Sequence, residues 1–178
     1  MQDKTNEQYD RVIEQCRTVF LKKTADYGTS WRVYRTISVV DQIYIKALRI
    51  RTVQEKKHQK IDDDVRSEFV GILNYAVIGL IQLKFDHEEV DDLPVETVEK
   101  LYQAEITSSQ KLMSDKNHDY GEAWREMSQE SFVDLILAKL LRIRKILFNE
   151  GKTIASEGID ANYLDIINYA AFALILTS

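Results

Sequence analysis

The chain states its main pattern twice. Asp26-Tyr27-Gly28-Thr-Ser-Trp31-Arg32 returns as Asp119-Tyr120-Gly121-Glu-Ala-Trp124-Arg125, 93 residues later. Ser38-x-Val-Asp41-x-Ile-x-x-Lys46-x-Leu-Arg49-Ile-Arg51 returns at the same offset as Ser131-x-Val-Asp134-x-Ile-x-x-Lys139-x-Leu-Arg142-Ile-Arg144. Ile72-x-Asn74-Tyr75-Ala76 returns as Ile166-x-Asn168-Tyr169-Ala170, at an offset of 94. From Lys23 to Arg51, 15 of 29 aligned positions are identical, where ordinary residue usage supplies about two by chance. Two copies are too few for a solenoid, so the repeat implies a duplicated unit packed against itself.

The unit is helical. One proline and six glycines in 178 residues leave little turn chemistry for a sheet protein. Tyr9, Val12, Ile13, Cys16, Val19 and Phe20 fall at helical spacing, as do Val39, Val40, Ile43, Ala47, Leu48 and Ile50. Val65, Phe69, Ile72, Leu73, Ala76, Leu80 and Leu83 form a third stripe. The second half repeats all three, around Leu112 and Met113, around Leu137, Leu140 and Leu141, and around Ile166, Ala170 and Leu174. The expected fold is all-α, with six main helices as two tandem three-helix repeats related by pseudo-two-fold symmetry. Residues 1–85 form the first repeat, 86–94 an acidic connector and 95–178 the second. Each half is too small to bury much surface alone, so the two are expected to make one compact unit. The last helix of each half is apolar on more than one face, which predicts that these two helices meet near the symmetry axis.

A net charge of −5 gives no broad attraction to nucleic acid or to anionic lipid. The polar N-terminal residues do not form a signal peptide. No apolar run approaches the roughly 20 residues of a membrane span. The single cysteine, Cys16, cannot form a disulfide within the chain and sits on a core stripe. A cytoplasmic protein is expected, with no membrane partner and with homo-oligomerisation left open.

The repeated polar residues have structural and functional readings. Gly28 and Gly121 come where a helix should stop and suit the left-handed C′ position. Asp26 and Asp119 precede them, where a negative charge opposes the helix dipole. Either an arginine or lysine of the same half answers that charge, or a bound ligand or cation does. Ser38-x-x-Asp41 and Ser131-x-x-Asp134 read as capping boxes; the other use of the two acids is as metal ligands or bases. Lys46 with Arg49, and Lys139 with Arg142, share a helical face and repel each other unless an anion stands opposite. That anion is Asp26 or Asp119, or else a phosphate, which suits the planar fork of arginine. Trp31 and Trp124 plug the core or stack on a base. Asn74-Tyr75 and Asn168-Tyr169 lie mid-helix in apolar stripes, where a buried asparagine must be hydrogen-bonded. Bridging helices is the preferred role; contacting a polar ligand edge is the other. Asp165 aligns with Gly71, and with Glu157 and Asp160 nearby it makes the second half the better equipped for a hard cation such as Mg2+.

The run Asp119-Tyr120-Gly121-Glu-Ala-Trp124-Arg125, Ser131-x-x-Asp134, Lys139-x-x-Arg142-Ile and Asp165-x-x-Asn168-Tyr169-Ala170 resembles the nucleotide modification associated domain 1 family. The resemblance covers most of the chain as two copies, the second closer to the pattern. It implies an all-helical domain with a role in nucleotide or modified-nucleotide metabolism. The helical pattern is also distantly similar to the MazG-like all-alpha nucleoside triphosphate pyrophosphatases. Those hold magnesium with Glu-x-x-Glu followed within some two dozen residues by Glu-x-x-Asp; here Glu96-x-x-Glu99 and Glu157-x-x-Asp160 are much further apart.

The expectation is a nucleotide-binding protein, with metal-dependent phosphohydrolysis as its chemistry if it is an enzyme. Lys139 and Arg142 would hold phosphates, and Trp124 or Tyr120 would stack on the base. Asn168 completes the candidate ligand set, with Asp26, Tyr27, Trp31, Lys46, Arg49 and Asn74 as its first-half counterparts. Asp119, Asp134 and Asp165 would supply metal ligands or activate a water. The alternative is a non-catalytic helical binding or assembly module whose repeated polar residues form a structural network.

Overall fold

Each half folds as its apolar spacing dictates. The computed structural model describes residues 2–56, 63–85, 92–154 and 156–178. Most of the acidic connector (86–91), together with Asp62 and the side chains of Asp63 and Asp64, lies outside the described residues. Among these there are six α-helices and no strand: α1 (Gln2–Tyr27), α2 (Thr36–Glu55), α3 (Asp63–Leu83), α4 (Val95–Tyr120), α5 (Gln129–Phe148) and α6 (Ile159–Leu176). A single turn of 3-10 helix precedes α2 (Ser30–Val33) and α5 (Ala123–Glu126), and each carries the Trp-Arg pair.

Gly28 and Gly121 follow the last residues of α1 and α4 with φ of 63° and 74°. Their amides close those helices on Thr24 and Asn117 carbonyls at 2.8 and 2.9 Å. The positive φ expected of both glycines is therefore present in both repeats; at Gly121 it comes with ψ of −168°, outside the left-handed helical region and in one open essentially to glycine.

The apolar stripes form one continuous core, apart from Val19, Leu83 and Leu141, which are exposed. α3 and α6 pack on each other at the centre, and α2 packs on α5 beside them. Gly79 permits the close central approach, because a Cβ there would stand 2.5 Å from the Tyr163 ring. α6 is long and apolar enough to meet a simple test for a membrane span. Burial against α1, α3, α4 and α5 explains that composition.

Polar bonds cross between the repeats in matched pairs. Tyr9 on α1 donates to Asn168 Oδ1 on α6 at 2.8 Å, and Asn168 Nδ2 donates to the Ser109 carbonyl on α4 at 3.0 Å. Tyr102 on α4 donates to Asn74 Oδ1 on α3 at 2.8 Å, and Asn74 Nδ2 donates to the Cys16 carbonyl on α1 at 3.0 Å. Each asparagine thus ties its own repeat to the first helix of the other, which is the bridging role. A second reciprocal set lies between α2 and α5. Arg51 pairs with Asp134 at 2.6 Å, and Arg144 pairs with Asp41 at 2.9 Å.

This second set corrects the capping-box reading. α2 and α5 begin at Thr36 and Gln129, after Arg35 and Ser128. Ser38 and Ser131 are therefore the third residues of their helices, and Asp41 and Asp134 lie beyond the first turn. The two acids serve the partner repeat instead of their own helix ends.

Candidate functional site

Each repeat encloses a small hollow at the end of its first helix. In the first, α1 contributes Lys23 and Tyr27, the 3-10 turn Trp31, and α3 Gly71, Asn74 and Tyr75, around about 140 Å³. In the second, α4 contributes Lys116 and Tyr120, the turn Trp124, and α6 Asp165, Asn168 and Tyr169, around about 190 Å³. The same repeat positions line both, so the duplication extends to the cavities. The main change is at one position, where the first has Gly71 and the second has Asp165.

Asp165 is 6 % exposed and its carboxylate is held by two lysines. Oδ2 meets Lys139 Nζ at 2.8 Å and Oδ1 meets Lys116 Nζ at 2.9 Å. Burial alone would lower the Lys116 ammonium, but the hydrogen bond and charge of Asp165 outweigh it, and its pKa is raised. The Tyr169 phenol is pushed up, first by burial and then by Asp165, while Lys116 and Arg142 oppose the shift. Tyr169 therefore lies within the electrostatic reach of Arg142, which stands on the other side of the bridge.

Beyond Lys139 a larger open cleft of about 760 Å³ runs between α5 and the approach to α6. Lys139, Arg142, Lys145 and Lys152 line it, with Glu157 as the only acid among its described lining residues. Lys139 is neutralised by Asp165. Among the described residues, Arg142, Lys145 and Lys152 form no ion pair. The corresponding first-repeat cleft is about 340 Å³ and has Arg49, Thr52 and Glu68 where the second has Arg142, Lys145 and Asn162. There Glu68 pairs with Arg49 at 3.3 Å and with Lys46 at 3.6 Å. Among the described residues, the first cleft pairs Arg49 with Glu68, whereas the second leaves Arg142, Lys145 and Lys152 without an ion pair.

The other sequence-selected residues divide between scaffold and surface. Trp31 and Trp124 are buried. Trp124 stacks on Phe172 at 4.2 Å, carries the Arg125 guanidinium at 4.4 Å, and donates Nε1–H to Asn117 at 3.2 Å. Both rings plug the core, and each also forms part of the wall of its hollow. Tyr27 and Tyr120 are exposed at the rims of their hollows. The amides of Asn74 and Asn168 are engaged between helices at both ends. Asp26 and Asp119 are exposed on the last turns of α1 and α4. Asp119 meets only His118, at 3.2 Å, and Asp26 has no ion pair among the described residues. The anions opposite Lys46/Arg49 and opposite Lys139 are Glu68 and Asp165, not Asp26 and Asp119.

The metal constellation is not assembled. Asp119 is at the end of α4, Asp134 is engaged by Arg51, and Asp165 is held between lysines. No group of three or more His, Cys, Asp or Glu side chains with metal-binding spacing occurs among the described residues. Glu96-x-x-Glu99 opens α4, while Lys116, in contact with Asp165, lies near its other end. At 1.5 Å per residue about 25 Å separates the two, and Glu157-x-x-Asp160 lies further on still, since α4 and α6 are antiparallel.

The sequence repeat contained a signal for Lys116, which matches Lys23 at the start of the identical block. It contained none for Lys145 or Lys152, because the first half lacks both. No curated protein sequence and no solved structure matches the chain, and the distant likeness to the MazG-like enzymes is not shown. A family profile does match, once over residues 23–83 and again over 116–176, starting in each case at the lysine of the hollow. The chain belongs to the family described as Nucleotide modification associated domain 1, of which it carries two tandem copies.

Proposed function

We propose that the protein binds a nucleotide through its phosphates in the second-repeat cleft. Arg142, Lys145 and Lys152 take the phosphate oxygens, with Arg142 offering a bidentate fork. Lys139 stays on Asp165 and forms the inner wall. The neighbouring hollow, with Tyr120 and Tyr169, receives the base. The observation that supports this most is the contrast between the repeats. Arg49 has Glu68 as its anion, while Arg142 at the same position has Asn162 in its cleft and no ion pair among the described residues. Three cations without an ion pair, in a cleft whose lining includes the single acid Glu157, are best explained by an external anion. The cleft volume is of the size usual for small-molecule sites.

A second reading is binding without catalysis. It is favoured by how many repeated residues are spent on the scaffold: Asn74, Asn168, Asp41, Asp134, Trp31 and Trp124. No cluster of acids of the kind that places a hydrolytic metal faces the cleft among the described residues. A bound Mg2+ would then arrive with the phosphates and keep most of its waters.

The test is a thermal-shift panel of nucleoside mono-, di- and triphosphates, with and without Mg2+. A ligand at about 100 times its Kd adds about 2.7 kcal/mol, or roughly 5–10 °C for a chain of this size. A shift with one phosphate class that is lost in Arg142→Ala/Lys145→Ala supports the reading. Equal shifts in that variant and the parent would remove it.

A further inference from the structure

The two hollows differ by a missing carboxylate. In the second repeat Asp165 stands between Lys116 and Lys139. In the first, the same positions hold Gly71, Lys23 and Lys46. Lys23 has no ion pair among the described residues. Lys46 leans over Gly71, with Cε 2.9 Å from where a Cβ would be, and reaches Glu68 only at 3.6 Å. Its ammonium also lies 5.7 Å from the centre of the Tyr75 ring, which lines the hollow.

A second deficit lies beside the first. Trp124 Nε1–H has the Asn117 oxygen as its acceptor at 3.2 Å. Trp31 has Thr24 at that position, and its Nε1 is buried without a hydrogen-bond partner. The Thr24 hydroxyl is turned to the Phe20 carbonyl at 2.9 Å. The first hollow is thus short of two oxygen acceptors that the second supplies from its own side chains. An unsatisfied buried donor calls for an explanation, and here it belongs to a tryptophan that lines a cavity with no acidic side chain among its described lining residues.

We infer that the first-repeat hollow is a separate binding site for a small monocyclic aromatic carboxylate. Its carboxylate pairs with Lys23 and, with the flexible end of Lys46 drawn aside from above Gly71 and from Glu68, takes the place that Asp165 occupies in the second repeat. Its ring lies among Tyr27, Tyr34 and Tyr75. The volume of about 140 Å³ admits one ring and excludes a nucleotide. The site is independent of the phosphate cleft on the second repeat.

Benzoate, with benzamide as its uncharged counterpart, tests this by proton–nitrogen NMR titration. The chain has two tryptophans, so two indole N–H signals report separately on the two hollows. Benzoate should move the Trp31 indole signal and the Gly71 amide saturably while leaving the Trp124 indole in place. Benzamide should bind at least tenfold more weakly. Gly71→Asp supplies the carboxylate from within and should weaken benzoate at least tenfold. Lys23→Ala, on an exposed part of α1, should also weaken it, and this keeps the test open if Gly71→Asp disturbs the fold. Arg142→Ala/Lys145→Ala should leave benzoate binding unchanged, separating this site from the nucleotide reading. Absence of saturable binding, equal binding of benzamide, or full benzoate affinity in both Lys23→Ala and a folded Gly71→Asp would overturn the inference.

Discussion

Tyr9 donates its phenolic hydrogen to Asn168, 159 residues further along the chain, at 2.8 Å. Both side chains are buried. The first helix is thereby bonded to the last, and Tyr102 with Asn74 repeats the arrangement in the opposite direction.

Asn168→Ala should be costly. It removes the Tyr9 and Ser109 bonds to α6, but the Tyr9 hydroxyl keeps Ser109 Oγ at 2.7 Å and the Ser109 carbonyl keeps its place in α4, so the cost is that of two lost hydrogen bonds, about 0.5–1.5 kcal/mol each. A loss of about 1–3 kcal/mol is expected in urea unfolding, against about 1–2 kcal/mol for Tyr9→Phe. The double variant should cost less than the sum, because the two residues share a bond. Strict additivity would show that the bond carries no coupling.

Two acids of the second repeat should behave differently. Asp165→Ala leaves Lys139, whose side chain is 13 % exposed, without its anion. Breaking a buried pair costs about 3–5 kcal/mol, reduced here to about 2–3 because Lys116 is half exposed. Asp134 is 64 % exposed in its pair with Arg51, so Asp134→Ala should cost under about 1 kcal/mol. Equal losses on chemical denaturation would contradict this ordering.

Stability should fall in alkali. Burial pushes the hydroxyls of Tyr9, Tyr102 and Tyr163 well up, and the Cys16 thiol up to about 12. All four stay protonated in the folded protein. In the unfolded chain Cys16 loses its proton near pH 8.5 and the tyrosines near pH 10. Above those values the unfolded state binds fewer protons, so stability declines as pH rises. The slope is about 1.4 kcal/mol per group per pH unit. Urea midpoints should hold to about pH 8 and drop steeply beyond 10, with tyrosinate absorbance appearing only as the chain unfolds.

The helices, the positive-φ glycines and the need of Asn74 and Asn168 for buried partners were legible because each is written within one repeat. Gly28 ends a stripe, and Asn74 interrupts one. The partners of Asp41 and Asp134 were not legible. Their arginines, Arg144 and Arg51, sit on the other repeat, and that pairing exists only once α2 lies against α5. Lys116 and Asp165 are 49 residues apart and meet only through the packing of α4 on α6. The candidate site is hardest to read because it lies in what the halves do not share. Emphasis on repeated residues pointed to Lys139, Arg142 and Trp124. The chemistry that separates the halves comes from Lys145 in place of Thr52, Asn162 in place of Glu68, and Asp165 in place of Gly71.

Calorimetric titration of the best nucleotide from the thermal-shift panel tests the central claim, that the second-repeat cleft holds the phosphates. The account predicts one site per chain, with affinity lost in Arg142→Ala/Lys145→Ala and retained in Arg49→Ala, whose arginine is already answered by Glu68. Two equal sites, or the same affinity in all three proteins, would contradict it.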